Sequence, residues 1–219
     1  MGSPGQTGVP LVRAEEGQPI GQLWAKTFVE IDNDGNLIHE DTNGDGAVDE
    51  LDRTVVGNGL PKAELGWGNT FRFKNLDLNL FFRGVFGHDL INTFRGFYEV
   101  PQMIGSYNLP ASADKMRSEN GTLMNSSSGI LSSKHVEDAD FFALDNASLG
   151  YTFDVSGSST FSNIRVFIAG NNLFYITRYS GVDPSPRYDD DGNVLIPGID
   201  RRNTWFRTRS VSVGINLGF

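Results

Sequence analysis

The densest chemistry in the chain lies in Asp41 to Asp52, DTNGDGAVDELD. Asp41, Asn43, Asp45, the backbone carbonyl of Ala47, Asp49 and Asp52 stand at positions 1, 3, 5, 7, 9 and 12 of an EF-hand-type loop, with Gly46 at the sharp turn. Hard oxygen ligands at that spacing can wrap one Ca²⁺, so calcium is the expected cofactor. Two features depart from the pattern. The last ligand is Asp rather than a longer, bidentate Glu, and no amphipathic helix flanks the loop. A solvated turn rich in Asp, Asn and Gly would have the same composition.

Other constellations point away from catalysis. His39, His88 and His135 are far apart and form no metal-ligand spacing, Cys is absent, and no GxSxG elbow occurs, so no enzyme is expected. Asp32 to Asn36 (DNDGN) and Asp189 to Asn193 (DDDGN) are acidic without ligand spacing and are expected as solvated tips. The net charge is -9 and the Lys and Arg residues are scattered, which excludes a nucleic-acid footprint.

The elements that must position these groups are strands. Aromatic content is 11% with 16 Phe, and there are 26 Gly, a balance that suits β structure with close backbone approaches; no run reaches the ~18 apolar residues of a spanning helix. The clearest alternation is at the end. In RSVSVGINLGF, Val211, Val213, Ile215, Leu217 and Phe219 share one side, opposite Ser210, Ser212, Gly214, Asn216 and Gly218. Further strands are expected over Gly21 to Ile31, Glu64 to Lys74, Leu76 to Gly87, Ala139 to Phe153 and Asn163 to Thr177, with a tight hairpin around Lys74 to Leu76. Residues 1–20 read as an irregular lead-in. Residues 32–59, 88–138 and 178–203 read as long loops, and 154–162 as a short turn.

Long and short connections therefore alternate, as they do in outer-membrane barrels with long extracellular loops and short periplasmic turns. The fold class expected is all-β: an antiparallel meander of about six strands forming part of a transmembrane β-barrel. Six strands cannot close even the smallest such barrel, which needs eight. The missing strands are expected on the same polypeptide or on a second chain. The opening GSPGQTGVP shows no signal peptide, so the start is expected to be a processing or artificial boundary, or the chain a C-terminal piece of something longer.

Val136 to Phe153 (VEDADFFALDNASLGYTF), Ile164 to Gly181 (IRVFIAGNNLFYITRYSG), Asp183-Pro184, Gly198-Ile199-Asp200 and the terminal GINLGF together resemble the C-terminal barrel of SusC/RagA-type TonB-dependent transporters. GQPIG (17–21), DTNGDGAVDELD (41–52) and VVGNGLPKAELGWGNTFRFKNLDLNLFFRG (55–84) match the same family in the same order, so the resemblance covers residues 15 to 219. It implies a 22-stranded barrel with an N-terminal plug in the outer membrane of a Gram-negative, Bacteroidetes-like bacterium. It also implies import of glycan oligosaccharides or peptides with a SusD-like surface lipoprotein and with TonB, through regions this chain does not hold. Residues 21–219 would be C-terminal strands and loops of that barrel, facing lipid on one side.

Phe97, Tyr98 and Tyr107, in the longest loop, become the candidates for substrate or lipoprotein contact. Trp24, Trp67, Trp205, Tyr175 and Tyr179 are expected in the interface belts, with sugar stacking as the alternative. Arg72, Arg83 and Arg165 are expected to line the lumen or to pair with plug carboxylates. The competing function is a soluble, extracellular, calcium-stabilised β domain for carbohydrate binding or adhesion. It would have to stay folded and monomeric without lipid.

Overall fold

A computed structural model describes residues 10–125, 131–155, 157, 160–188 and 192–219. In chain order the strands are β1 (Val12–Arg13), β2 (Gln22–Lys26), β3 (Phe28–Ile31), β4 (Leu37–His39), β5 (Arg53–Asn58), β6 (Ala63–Phe73) and β7 (Leu76–Phe86). Then follow β8 (Asp89–Asn92), β9 (Val136–Asp138), β10 (Phe141–Asp154), β11 (Asn163–Thr177), β12 (Ile199–Asp200) and β13 (Ser210–Gly218), with one helix, α1 (Thr93–Tyr98). The chain divides into two compact units: residues 63–86, 140–178 and 206–219, and residues 1–62, 87–139 and 179–205.

The first unit is one antiparallel sheet in the order β13-β11-β10-β7-β6. Its strands are those whose alternation is legible over nine or more residues. β6 and β7 pair from Ala63↔Phe86 to Phe73↔Leu76 around a two-residue turn, where Lys74 takes a positive φ of 54°. Register then assigns faces. Phe71, Leu78, Leu149, Ile168 and Val213 form one cross-strand row, and Phe73, Leu76, Tyr151, Val166 and Ile215 form the next. This face is apolar and exposed, with Trp67 at 59%, Phe73 at 72% and Val213 at 74%. The opposite face carries Thr70, Asn79, Ser148, Ala169 and Ser212 in one row.

A bulge between Leu144 and Asn146 interrupts the register of β10 against both neighbours. The extra residue exchanges the faces of odd and even positions, so Leu144 and Ala147 both lie on the apolar side. It also sends Asp145 to the polar side, where Arg83 Nε reaches its Oδ2 at 2.6 Å.

The second unit overturns part of the expected loop structure. The strand expected over Gly21 to Ile31 is split: β2 pairs with β1 and β5, and β3 pairs with β4. The sheet of long strands therefore has five members. Residues 32–59 contain β4 and β5, residues 88–138 contain β8, α1, β9 and 3₁₀ turns at Pro101–Gly105, Ala111–Lys115 and Ser133–His135, and residues 178–203 contain β12. Even the lead-in is partly built, since Leu11 is buried and β1 pairs with Gln22 and Leu23.

These connections bury cores of their own. Leu11, Leu23, Ile91, Leu131 and Ile199 make one cluster, and Ile31, Val100, Met116 and Met124 another. Their strands are too short for a period to show, and their partners come from distant sequence: Ile199 pairs with Ile91, and Leu23 with Gly57. At Gly59 an added Cβ would lie 2.6 Å from Gly198 Cα, a close approach that requires glycine.

Candidate functional site

The polar face of the long-strand sheet is a hydrogen-bonded surface. Thr70 Oγ1 donates to Asn79 Oδ1 (2.9 Å), and Asn79 Nδ2 donates to Ser148 Oγ (3.3 Å). One row further, Asn146 Nδ2 donates to Asn171 Oδ1 (2.9 Å), and Asn171 Nδ2 donates to Ser210 Oγ (3.2 Å). Side chains from all five strands thus take part in the two rows. Arg165 grips Asp77 with Nε at 2.9 Å and Nη2 at 2.6 Å, a two-pronged pair that fixes both planes. Of the three arginines expected on the polar faces, Arg83 and Arg165 therefore pair within the sheet. Arg72 lines a cavity of about 650 Å³ together with Lys74, Asp77, Asn79 and Arg165.

In the other unit, α1 begins at Asn92, whose side chain accepts from Arg95 N at 3.1 Å. The helix carries three of a group of four aromatic rings. Phe97 lies 4.8 Å from Tyr98 and 5.6 Å from Tyr107, Tyr98 lies 5.8 Å from Tyr107, and Phe94 adds a ring 4.6 Å from Tyr98. The three aromatic residues singled out from the sequence are thus mutual neighbours. The guanidinium of Arg202 lies 4.1 Å above the Phe97 ring, in cation–π range.

Sequence inspection missed the network that holds α1. Arg95 pairs with Glu99 (2.9 Å) and with Glu137 (2.8 Å), and Glu137 also accepts from Ser180 N and Oγ, both at 2.9 Å. Burial would raise the Glu137 carboxyl, but the bonds from Arg95 and Ser180 outweigh it and hold it below the ordinary glutamate range. Only the four-residue spacing of Arg95 and Glu99 carried a sequence signal. Nearby, the buried Asp200 accepts from Tyr179 Oη (2.6 Å), Arg187 Nη2 (3.1 Å) and Thr204 Oγ1 (2.8 Å).

Tyr179 is therefore a buried structural donor, neither a belt residue nor a stacking platform; burial first, then Asp200, push its hydroxyl above the ordinary tyrosine range. Tyr175 lies on the polar face, against Phe141 at 5.4 Å, and Trp24 sits in β2 under Arg13 at 4.4 Å. Trp67 and Trp205 are exposed.

The Asp41–Asp52 loop is organised by its own backbone. Asp41 accepts from Gly44 N (2.7 Å) and Gly46 N (2.8 Å), Asn43 from Asp45 N (2.8 Å), Asp45 from Ala47 N (2.9 Å), and Asp49 from Leu51 N (2.7 Å). Asp52 is buried and accepts from Asp49, Thr42 and Asn43 N–H groups, which hold its carboxyl below the usual range, Asp49 contributing most. Among the described residues no group of three or more His, Cys, Asp or Glu converges as a metal cage. Two of the candidate side chains also meet, Asn43 Nδ2 donating to Asp45 Oδ2 at 3.1 Å. Asp32 forms the expected local turn, accepting from Asp34 N (2.9 Å) and Asn36 N (2.7 Å); Asp189 to Asp191 lie outside the described residues.

No family model matches the chain. Among curated proteins it is 31% identical over 199 residues to TonB-dependent receptor P39 of Formosa agariphila, covering 84% of the chain and 19% of that receptor. It is 26% identical over 232 residues to receptor P3 of the same organism (93% and 22%), and 22% identical over 156 residues to SusC of Bacteroides thetaiotaomicron (70% and 16%). In sequence the chain is similar to one stretch of the TonB-dependent receptors, SusC among them.

The RagAB peptide transporter shares the fold at a TM-score of 0.68 and 19% identity, over 90% of this chain and 23% of that one. The chain spans about a fifth of the length of these receptors. TonB-dependent receptors are transporters and not enzymes. Within a TonB-dependent receptor barrel the two faces have a plain meaning: strands alternate between a side that meets lipid and a side that meets water and protein.

Proposed function

We propose that the chain is part of the membrane barrel of an outer-membrane TonB-dependent importer in a Bacteroidetes-like Gram-negative bacterium. The importer takes up glycan oligosaccharides or peptides, working with a SusD-like surface lipoprotein. A plug, further strands and the TonB-contacting segment are supplied by sequence outside this chain. The observation that carries this is the five-strand sheet, with one exposed apolar face and one hydrogen-bonded polar face. An apolar surface of that extent is costly in water and at home in lipid. Both sheet edges, β6 and β13, lack a strand partner among the described residues, and that suits a barrel completed by other strands.

Phe97, Tyr98 and Tyr107 are assigned to contact with substrate or lipoprotein, the Arg95–Glu137 pair holding the helix that presents them. Calcium at Asp41, Asn43, Asp45, Ala47, Asp49 and Asp52 is a second part of the proposal and rests on ligand spacing. Titration calorimetry with CaCl₂ should give a heat that an Asp45→Ala variant lacks; equal traces would remove the calcium site.

The test of the main assignment is fractionation. The receptor should sediment with outer membranes, leave them only in detergent, and bind an oligosaccharide or a peptide. A folded monomer that needs neither detergent nor a partner would instead establish the soluble adhesion domain.

A further inference from the structure

A cavity of about 350 Å³ lies in residues 101–123, within the range of small-ligand pockets. Two 3₁₀ turns contribute to it, Pro101–Gly105 and Ala111–Lys115. Pro101, Ile104, Leu109, Pro110 and Leu123 supply apolar lining, and Ile104 and Leu123 are exposed at 77% and 42%. Leu123 is seated by its bridge to Arg117 and by the bond from Met124 N to Met116 O (2.8 Å). Tyr107 belongs to both the pocket and the aromatic group, so its ring is held from behind by Phe97 and Tyr98.

Polar groups are few. The Tyr107 hydroxyl and the Asn108 amide have no hydrogen-bond partner among the described residues, and the Asp114 carboxylate is engaged by Arg117 at 2.5 Å.

That lining discriminates between the two substrate classes left open above. A sugar ring presents hydroxyls around most of its edge, and each one buried against Leu, Ile or Pro without a partner is penalised. An apolar side chain suffers no such loss. An extended backbone beside it needs a donor or an acceptor at intervals, which the Tyr107 hydroxyl and the Asn108 amide can supply. We propose that this pocket is a subsite for an apolar side chain of a peptide, which makes peptides the imported class. This deepens the importer assignment and rests on it.

The probes are two fluorescein-labelled hexapeptides, one with a central Leu-Leu and one with a central Ser-Ser, and maltohexaose as competitor, tested on the detergent-solubilised full-length receptor. The Leu-Leu peptide should bind at least tenfold more tightly than the Ser-Ser peptide and resist maltohexaose. Leu123→Asp should abolish that tenfold preference, the affinity for the Leu-Leu peptide falling to that for the Ser-Ser peptide. Ile104→Asp, at a site too exposed to contribute much to folding, should do the same and stands in should Leu123→Asp fail to fold.

Equal affinities for the two peptides, a preference that survives both substitutions, or displacement of the peptide by maltohexaose would overturn the subsite. A receptor that binds neither peptide nor sugar would overturn the importer assignment itself.

Discussion

Adjacent residues on the central strand β10 offer a decisive comparison, because Leu149 and Ser148 differ in little but the face they occupy. Leu149 pairs with Leu78 and Ile168 in the apolar row; Ser148 pairs with Asn79 and Ala169 on the polar side. From Phe142 to Phe153 the strand makes about eleven steps of ~3.4 Å, and a tilt of about 40° gives roughly 28 Å across the membrane, against an apolar band of about 25 Å. Leu149 lies four steps from Phe153, about 10 Å inside that band and close to its middle.

Arginine at the midplane of a barrel's lipid face costs ~2–4 kcal/mol, so Leu149→Arg should lose about 3 kcal/mol. Ser148→Arg gives up a 3.3 Å bond from Asn79 and enters polar surroundings, so its loss should stay near 1 kcal/mol. The gap of about 2 kcal/mol is roughly thirtyfold in the folding equilibrium. Guanidinium unfolding of the receptor in phospholipid vesicles measures it directly. Equal losses, or a greater loss for Ser148→Arg, would refute the assignment of faces and with it the lipid contact.

Acid should weaken the unit built from the long connections. Burial first, then the charges of Arg95 and Lys134, depress the pKa of the buried His135 to about 3. The unfolded chain takes up that proton near pH 6.5 and the folded one does not, so stability falls as pH drops from about 6.5 towards 3. Glu137, held below its ordinary value, adds a loss in the same direction once pH passes under about 4.3. Thermal midpoints at pH 7.5, 6.0 and 5.0 should converge in a His135→Gln variant relative to the parent; parallel curves would show that His135 does not titrate this way. Gly59→Ala drives a Cβ to 2.6 Å from Gly198 Cα, where only backbone can yield, and should cost ~1–3 kcal/mol; an unchanged unfolding midpoint would mean the two segments are not in contact.

What could be read without coordinates was whatever repeats at short range. Strands as long as β6, β7, β10, β11 and β13 show which side chains share a face through the period of two alone, and the short turn at Lys74-Asn75 follows from the lack of room between Phe73 and Leu76. The same local pattern sufficed for the resemblance to TonB-dependent receptors, since the motifs recur in order along the chain.

The β10 bulge could not be read this way, because one inserted residue changes which parity faces lipid while the composition stays the same; only pairing with β7 and β11 exposes it. Nor could the second unit. β1, β4, β9 and β12 are two or three residues long, and their bonds, like the Arg95–Glu137–Ser180 pairing, join positions more than forty apart in places. Spacing nominated six candidate calcium ligands, but backbone N–H groups decide where the carboxylates among them turn. Local sequence settled the long strands and the likeness to the receptors. Tertiary structure decided how the long connections fold and which of their side chains meet, because those contacts depend on distances that no local period encodes.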